Sequence, residues 1–184
     1  MNILFVTGNK GKIEEAAHIL SRWGIGVYQS TNLHKVEIQS NELEEIVTYA
    51  LNQLCDYGDL IVVEDDGLFI DSLHGFPGPY SAYVYATIGL RGILQLLEST
   101  TSRRAVFRSI VGVCMGGKPK LFRGEVVGNI VNEPRGSHGF GFDPIFAPLG
   151  VDSTFAEMNI EEKSIYSHRS RAFTRLAEYL VGGR

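Results

Sequence analysis

Glu64, Asp65 and Asp66 stand side by side at the end of an apolar, β-branched run that begins at Leu60, and Gly67 follows them. Adjacent carboxylates on a buried strand repel one another and lose solvation, so something must offset their charge. A divalent cation would do so: Mg²⁺ takes hard oxygen ligands, keeps several waters and bridges phosphates. Side chains alternate along a strand, so Asp65 and Asp66 should point apart, with only one of them reaching a shared metal. Glu37, in a loop before the second helical pattern, is the candidate second ligand beside Asp65. The competing reading is a solvated acidic turn.

Thr7-Gly8-Asn9-Lys10-Gly11-Lys12 follows an apolar run and precedes a helical one. Helix N-termini carry unpaired N–H groups and partial positive charge, glycines let backbone approach a phosphate, and Lys12 adds a compact cation. The loop is not a P-loop, because only two residues separate its glycines and Ile13 follows the lysine. Gly8-Asn9-Lys10-Gly11 also fits the GxxG loop of KH modules, although that loop lies between two helices. An ordinary turn with solvated lysines is the plain alternative.

Two further stretches interleave small, aromatic and cationic residues. Ser137-His138-Gly139-Phe140-Gly141-Phe142-Asp143-Pro144 can stack a ring on phenylalanine while its backbone bonds the ring edge. A glycine-rich hairpin end with two core aromatics would look the same. Ser167-His168-Arg169 opens the last helical stripe, with Ser167 as N-cap and His168 and Arg169 as donors to a base carbonyl or a phosphate. Capping plus surface charge is the alternative there.

The elements that must hold these residues follow from periodicity. Ile13, Ala16, Ala17 and Leu20 make a one-faced helix, and Leu43, Ile46, Val47, Ala50, Leu51 and Leu54 make a clearer one. Asn41 and Glu44 have capping-box spacing at its start. Asn2–Thr7, Ile25–Gln29 and Leu60–Glu64 read as strands, with Leu68–Ile70 as a continuation of the last. Gly75–Tyr80 reads as a rigid turn and Gly89–Glu98 as a helix. Runs 105–115 and 120–131 form a hairpin turning at Gly116-Gly117. A Gly- and Pro-rich loop spans 132–150, and Ala172 to Leu180 mark a C-terminal helix. Helices alternating with strands, then a late hairpin, predict an α/β fold on a mixed sheet, with a cleft between two lobes.

Composition bounds the function. The chain has 184 residues, one domain of 1–184 or a compact two-lobed one. Seventeen Lys and Arg against 21 Asp and Glu give a net charge of -4, which argues against a nucleic-acid coat. No apolar run approaches the ~20 residues of a membrane helix, and Met1–Thr7 reads as a first strand rather than a signal peptide. Two cysteines imply no disulfide framework, so a reducing cytoplasm is expected.

Taken in order, several blocks together resemble the inosine triphosphate pyrophosphatase family. They are Thr7–Lys12, Val36-Glu37-Ile38-Gln39, Glu64–Leu68, Gly75–Ala82, Gly139–Phe146, Phe155-Ala156-Glu157-Met158 and Glu161–Arg169. The resemblance implies an elongated mixed sheet with flanking helices and two lobes around a central cleft, in a homodimer. It implies Mg²⁺-dependent hydrolysis of the purine nucleoside triphosphates ITP, dITP and XTP to monophosphate and pyrophosphate. Carried over by residue, Thr7, Gly8, Asn9, Lys10, Gly11 and Lys12 would hold the triphosphate, and Glu37 and Asp65 the metal. Asp65 would also be the base or water-positioning group. Phe140, Gly141, Phe142, Asp143, Lys163, His168 and Arg169 would contact the nucleotide, largely at its base end. Asp66 stands where the family usually has serine, which leaves its substrate contact open. A family-typical basic residue of the second helix is absent, with Asn52 and Gln53 in that region. Two alternatives are a Maf-like pyrophosphatase, whose Ser-Pro-Arg-Arg loop is missing, and a nucleotide- or RNA-binding module built on Gly8–Gly11.

Overall fold

The computed structural model describes residues 1–182. A seven-stranded mixed sheet runs through the molecule in the order β2-β1-β3-β5-β6-β7, with short β4 paired to β3. β1 (Asn2–Phe5), β2 (Gly26–Gln29) and β3 (Ile61–Ile70) are parallel neighbours. Their crossovers are α1 (Lys10–Ser21) and α2 (Leu43–Leu54), as parallel pairing requires. β4 is Pro77–Gly78. α3 (Ser81–Thr87) and α4 (Gly89–Leu96) follow it. β5 (Arg104–Met115) and β6 (Lys118–Ile130) form the long hairpin, with positive φ at Gly116 (57°) and Gly117 (71°). β7 (Phe146–Pro148) closes the far edge. α5 (Ile160–Tyr166) and α6 (His168–Gly182) end the described chain.

Strand alternation divides the core. Val111 and Val113 face Phe5, Ile19, Leu20 and the α6 stripe Phe173, Leu176 and Leu180. Ile110 and Cys114 face Val47, Ala50 and Leu51 of α2 on the other side. A third cluster fills the far half of the sheet, where Phe107, Phe146 and Phe155 pack edge-on, tilted or stacked at 4.7–6.1 Å.

Four readings of the sequence need correction. The acidic run lies inside β3, not at its end, because pairing with β5 continues to Ile70. The 132–150 loop contains β7, a short strand recruited by β6 rather than by its own pattern. The Asn41–Glu44 capping box does not form: Glu42 is the N-cap, and its N–H bonds Ser40 Oγ at 3.0 Å. Cys55 and Cys114 are joined as a disulfide, Cα to Cα 5.2 Å, against the expectation drawn from their low count. A count of two cannot reveal that the end of β5 meets the turn after α2. None of the described helices is long and apolar enough to cross a membrane.

Candidate active site

β3 presents its acidic run to two different sets of cations. Glu64, Asp65 and Asp66 pair with Val111, Ile110 and Ser109 of β5. Alternation therefore sends Glu64 and Asp66 to one face and Asp65 to the other. On the first face Lys12 Nζ lies 2.7 Å from Glu64 Oε2 and 2.5 Å from Asp66 Oδ1. Arg169 donates from Nε to Glu64 Oε1 at 3.0 Å and from Nη1 to Glu15 Oε2 at 2.7 Å. Its Nη2 lies 3.0 Å from Asp66 Oδ2. Ser109 Oγ donates to Glu64 Oε1 at 2.7 Å. On the opposite face Lys35 Nζ reaches Glu37 Oε1 at 2.7 Å, the Glu64 carbonyl at 3.0 Å and Asp65 Oδ1 at 3.4 Å. The charge expected to need a metal is thus met by Lys12, Lys35 and Arg169, which are remote from the acidic run in sequence.

These pairings set the protonation states. Burial disfavours the Asp66 anion, but Lys12, Arg169 and His168 hold its pKa well below the usual carboxylate range. Burial would likewise neutralise Lys12, yet Asp66 and Glu64 keep it protonated. Asp65 is different. Burial pushes it up to about 6, against the pull of Lys35 and Lys12. A carboxylate ionised at neutral pH, with its pKa raised toward 7, is suited to accept a proton from water.

The Thr7–Lys12 loop brings the N-terminus of α1 to the same place. Asn9 is the N-cap, its Oδ1 accepting from the Lys12 N–H at 3.2 Å, and Asn9 N–H bonds Thr7 Oγ1 at 3.2 Å. Thr7, Gly8, Asn9 and Lys12 line a cavity of about 890 Å³, while Lys10 and Gly11 do not. Lys10 is exposed. Gly11 lies under the Phe140 ring, which a Cβ there would meet.

The other end of the cavity is aromatic. Phe140, Gly141, Phe142, Asp143, His168 and Arg169 line it, with Tyr85 of α3 edge-on to Phe142 at 5.6 Å. His168 is buried and stacked on Phe107 at 4.7 Å and 8°. Among the described residues neither of its ring nitrogens has a hydrogen-bond partner; Nε2 is 3.5 Å from Asp66 Oδ2. Burial lowers its pKa below the usual value, so the ring is neutral at pH 7 and has one N–H to give.

Lys163, expected at the base, does not line the cavity. It is buried behind it, donating to Glu15 Oε1 and Asp143 Oδ2 at 2.6 Å each. Asp143 Oδ2 also accepts from the Phe140 N–H at 2.8 Å, so Lys163 braces the aromatic loop from behind. Arg169 lines the cavity but spends its guanidinium on Glu15, Glu64 and Asp66. Asn52 and Gln53 are exposed on α2 and outside the cavity. Lys35 and Tyr85 line the cavity, and Glu15 braces Lys163 and Arg169 behind it, yet none of the three had a sequence signal. Each is one residue of an ordinary helix or loop, and only the fold brings it in.

The donor set suits a divalent cation. Glu37 Oε1, Asp65 Oδ1 and the Glu64 carbonyl already converge on one positive charge, the Lys35 ammonium. Among the described residues no three Asp, Glu, His or Cys side chains form a ready cage. Mg²⁺ needs none, since it is commonly held by one or two carboxylates together with substrate phosphates.

Known proteins share this architecture. The chain is 54% identical to the dITP/XTP pyrophosphatase of Methanopyrus kandleri over the full length of both. It is 48% identical to that of Pyrococcus horikoshii, covering 98% of this chain and 97% of the other. The Staphylococcus aureus Ham1 protein superposes with a TM-score of 0.85 at 28% identity over the whole of both chains. A Mycobacterium abscessus nucleoside-triphosphatase/dITP/XTP pyrophosphatase superposes at 0.72, with 28% identity over 96% of this chain and 98% of the other. Residues 3–179 match the model of the Ham1 family, and the chain belongs to that family.

Proposed function

We propose that this chain hydrolyses deaminated purine nucleoside triphosphates, ITP, dITP and XTP, to monophosphate and pyrophosphate, clearing them from the nucleotide pool. One observation carries the reading. A single cavity joins a cationic loop at a helix N-terminus, a carboxylate pair and an aromatic end with an unpartnered histidine. Relatives over the full chain bear the name of that activity.

In this reading the triphosphate lies against the first turn of α1, with Lys12 offsetting its charge. Glu37 and Asp65 would hold Mg²⁺, which supplies charge neutralisation on the phosphates and acidifies bound water. Asp65 orients the water that attacks the α-phosphorus and takes its proton, and pyrophosphate leaves. Positioning and charge neutralisation do most of the work in such transfers.

The purine rests among Phe140, Phe142 and Tyr85. Hypoxanthine and xanthine offer a 6-keto acceptor, which the single N–H of neutral His168 can meet. Adenine would set its 6-amino donor against that N–H, a buried mismatch worth several kcal/mol. Asp66 touches Lys12 and so tunes its hold on phosphate. Lys10 acts as an exposed steering charge. The reading includes a homodimer, consistent with exposed Tyr83 and Ile88 on α3 and after it, and action in the cytoplasm, where the Cys55–Cys114 disulfide is an exception to the usual reduced thiols.

A nucleotide panel containing ITP, dITP, XTP, GTP and ATP, with released pyrophosphate measured with and without EDTA, tests the proposal. Pyrophosphate from the first three only, abolished by EDTA, is expected. No release from any nucleotide with Mg²⁺ would sink it.

A further inference from the structure

Lys35 holds the oxygens that a divalent cation would take. Its ammonium sits among Glu37 Oε1, Asp65 Oδ1 and the Glu64 carbonyl, and its side chain is only 12% exposed. The residue lines the same cavity as Lys12 and the α1 N-terminus. It stands in an irregular stretch between Asn32 and Ser40, free of helix or strand pairing. Two positive charges cannot share those oxygens without strong repulsion.

We propose that Lys35 is a resident counter-ion that guards the carboxylate pair until metal and triphosphate arrive. A divalent cation on Glu37 and Asp65 then displaces the ammonium, which moves to a phosphate oxygen in the same cavity. Lys35 thus acts as a positioning residue with two stations. In the empty site it stops Glu37 and Asp65 from collecting a metal without nucleotide. In the loaded site it adds a second lysine to the triphosphate, opposite Lys12. No bond is made or broken in the exchange. The inference rests on the pyrophosphatase reading for its second station only.

Nucleotide-free protein titrated with Mn²⁺ reads the first station, by calorimetry or by the loss of free-Mn²⁺ EPR signal. Lys35→Met and Lys35→Gln should each bind Mn²⁺ at least about tenfold more tightly than wild type. Lys35→Arg, which keeps the charge, should not. Adding Glu37→Gln to Lys35→Met should cancel the gain. Pyrophosphate titrated in saturating Mg²⁺ reads the second station, and the Lys35→Met variant should bind it about tenfold more weakly. Equal Mn²⁺ affinity in wild type and both neutral variants would overturn the proposal, as would no Mn²⁺ binding to any of them. Neither titration contains a nucleoside triphosphate, so a failed nucleotide panel condemns the enzymatic reading without touching the Mn²⁺ result.

Discussion

Asp65 and Asp66 are neighbours in sequence with opposite electrostatic fates. Asp66, facing Lys12 and Arg169, is held ionised, whereas Asp65 is pushed up to about 6 by burial. A carboxyl whose folded pKa lies above its unfolded value costs stability when ionised, and that cost is relieved as pH falls toward the unfolded pKa. Asp65→Asn should therefore melt no earlier than wild type at pH 7 while losing most dITP hydrolysis. Calorimetry and pyrophosphate release on one preparation check both halves, and near-normal turnover would remove Asp65 from its role. Glu15 behaves in the opposite sense. Burial alone would raise it, but Arg169 and Lys163 bring it down to about 2. Its contribution is present above pH 4.5 and lost as pH falls toward 2. Glu15→Gln should cost roughly 3–5 kcal/mol at pH 7, and its melting temperature should fall less steeply than that of wild type below pH 4.5. The sequence made the acidic run and the Thr7–Lys12 loop legible, because chemistry there is concentrated in adjacent residues. Glu15 and Lys35 were not legible, since each gains its meaning from partners far along the chain.

Elements position these residues through close backbone approach. α6 crosses β6 at Gly124, where a Cβ would strike the His168 carbonyl and the Ala172 N–H. No side chain can retract from that contact, because both obstacles are main chain. Gly124→Ala should lower stability by about 1–3 kcal/mol and also weaken activity, because it lifts the turn that carries His168 and Arg169. Urea unfolding and dITP kinetics on the same variant give the two numbers. A loss of stability with kcat and KM intact would show that α6 can shift without moving the site. The long strands, α1, α2, α6 and the β5–β6 hairpin were legible from period and turn chemistry. β4, β7, α3 and α5 were not. They are two to seven residues long, and neighbouring strands or loops decide them more than their own pattern does.

At the scale of the whole molecule, one sheet carries three apolar clusters, and the Cys55–Cys114 disulfide pins α2 to β5 across one of them. The bond closes a 59-residue loop, for which chain entropy gives roughly 4 kcal/mol of stability. Replacing both cysteines with serine should lower Tm by roughly 10 °C, a shift that calorimetry would register. Activity at 25 °C should be unchanged, since neither cysteine lines the cavity. The α/β class was readable from the alternation of elements, but the partnership of two lone cysteines was a property of the fold. The pairing of β3 with β5 carries one more consequence. A slip of one residue between them would preserve the ladder of backbone bonds yet exchange the faces of Asp65 and Asp66. Asp65 would be buried among arginine and lysine, and Asp66 would meet Lys35. The register of two strands is therefore a lock with one working setting: insertions within β3 should be forbidden by function even where the sheet could absorb them.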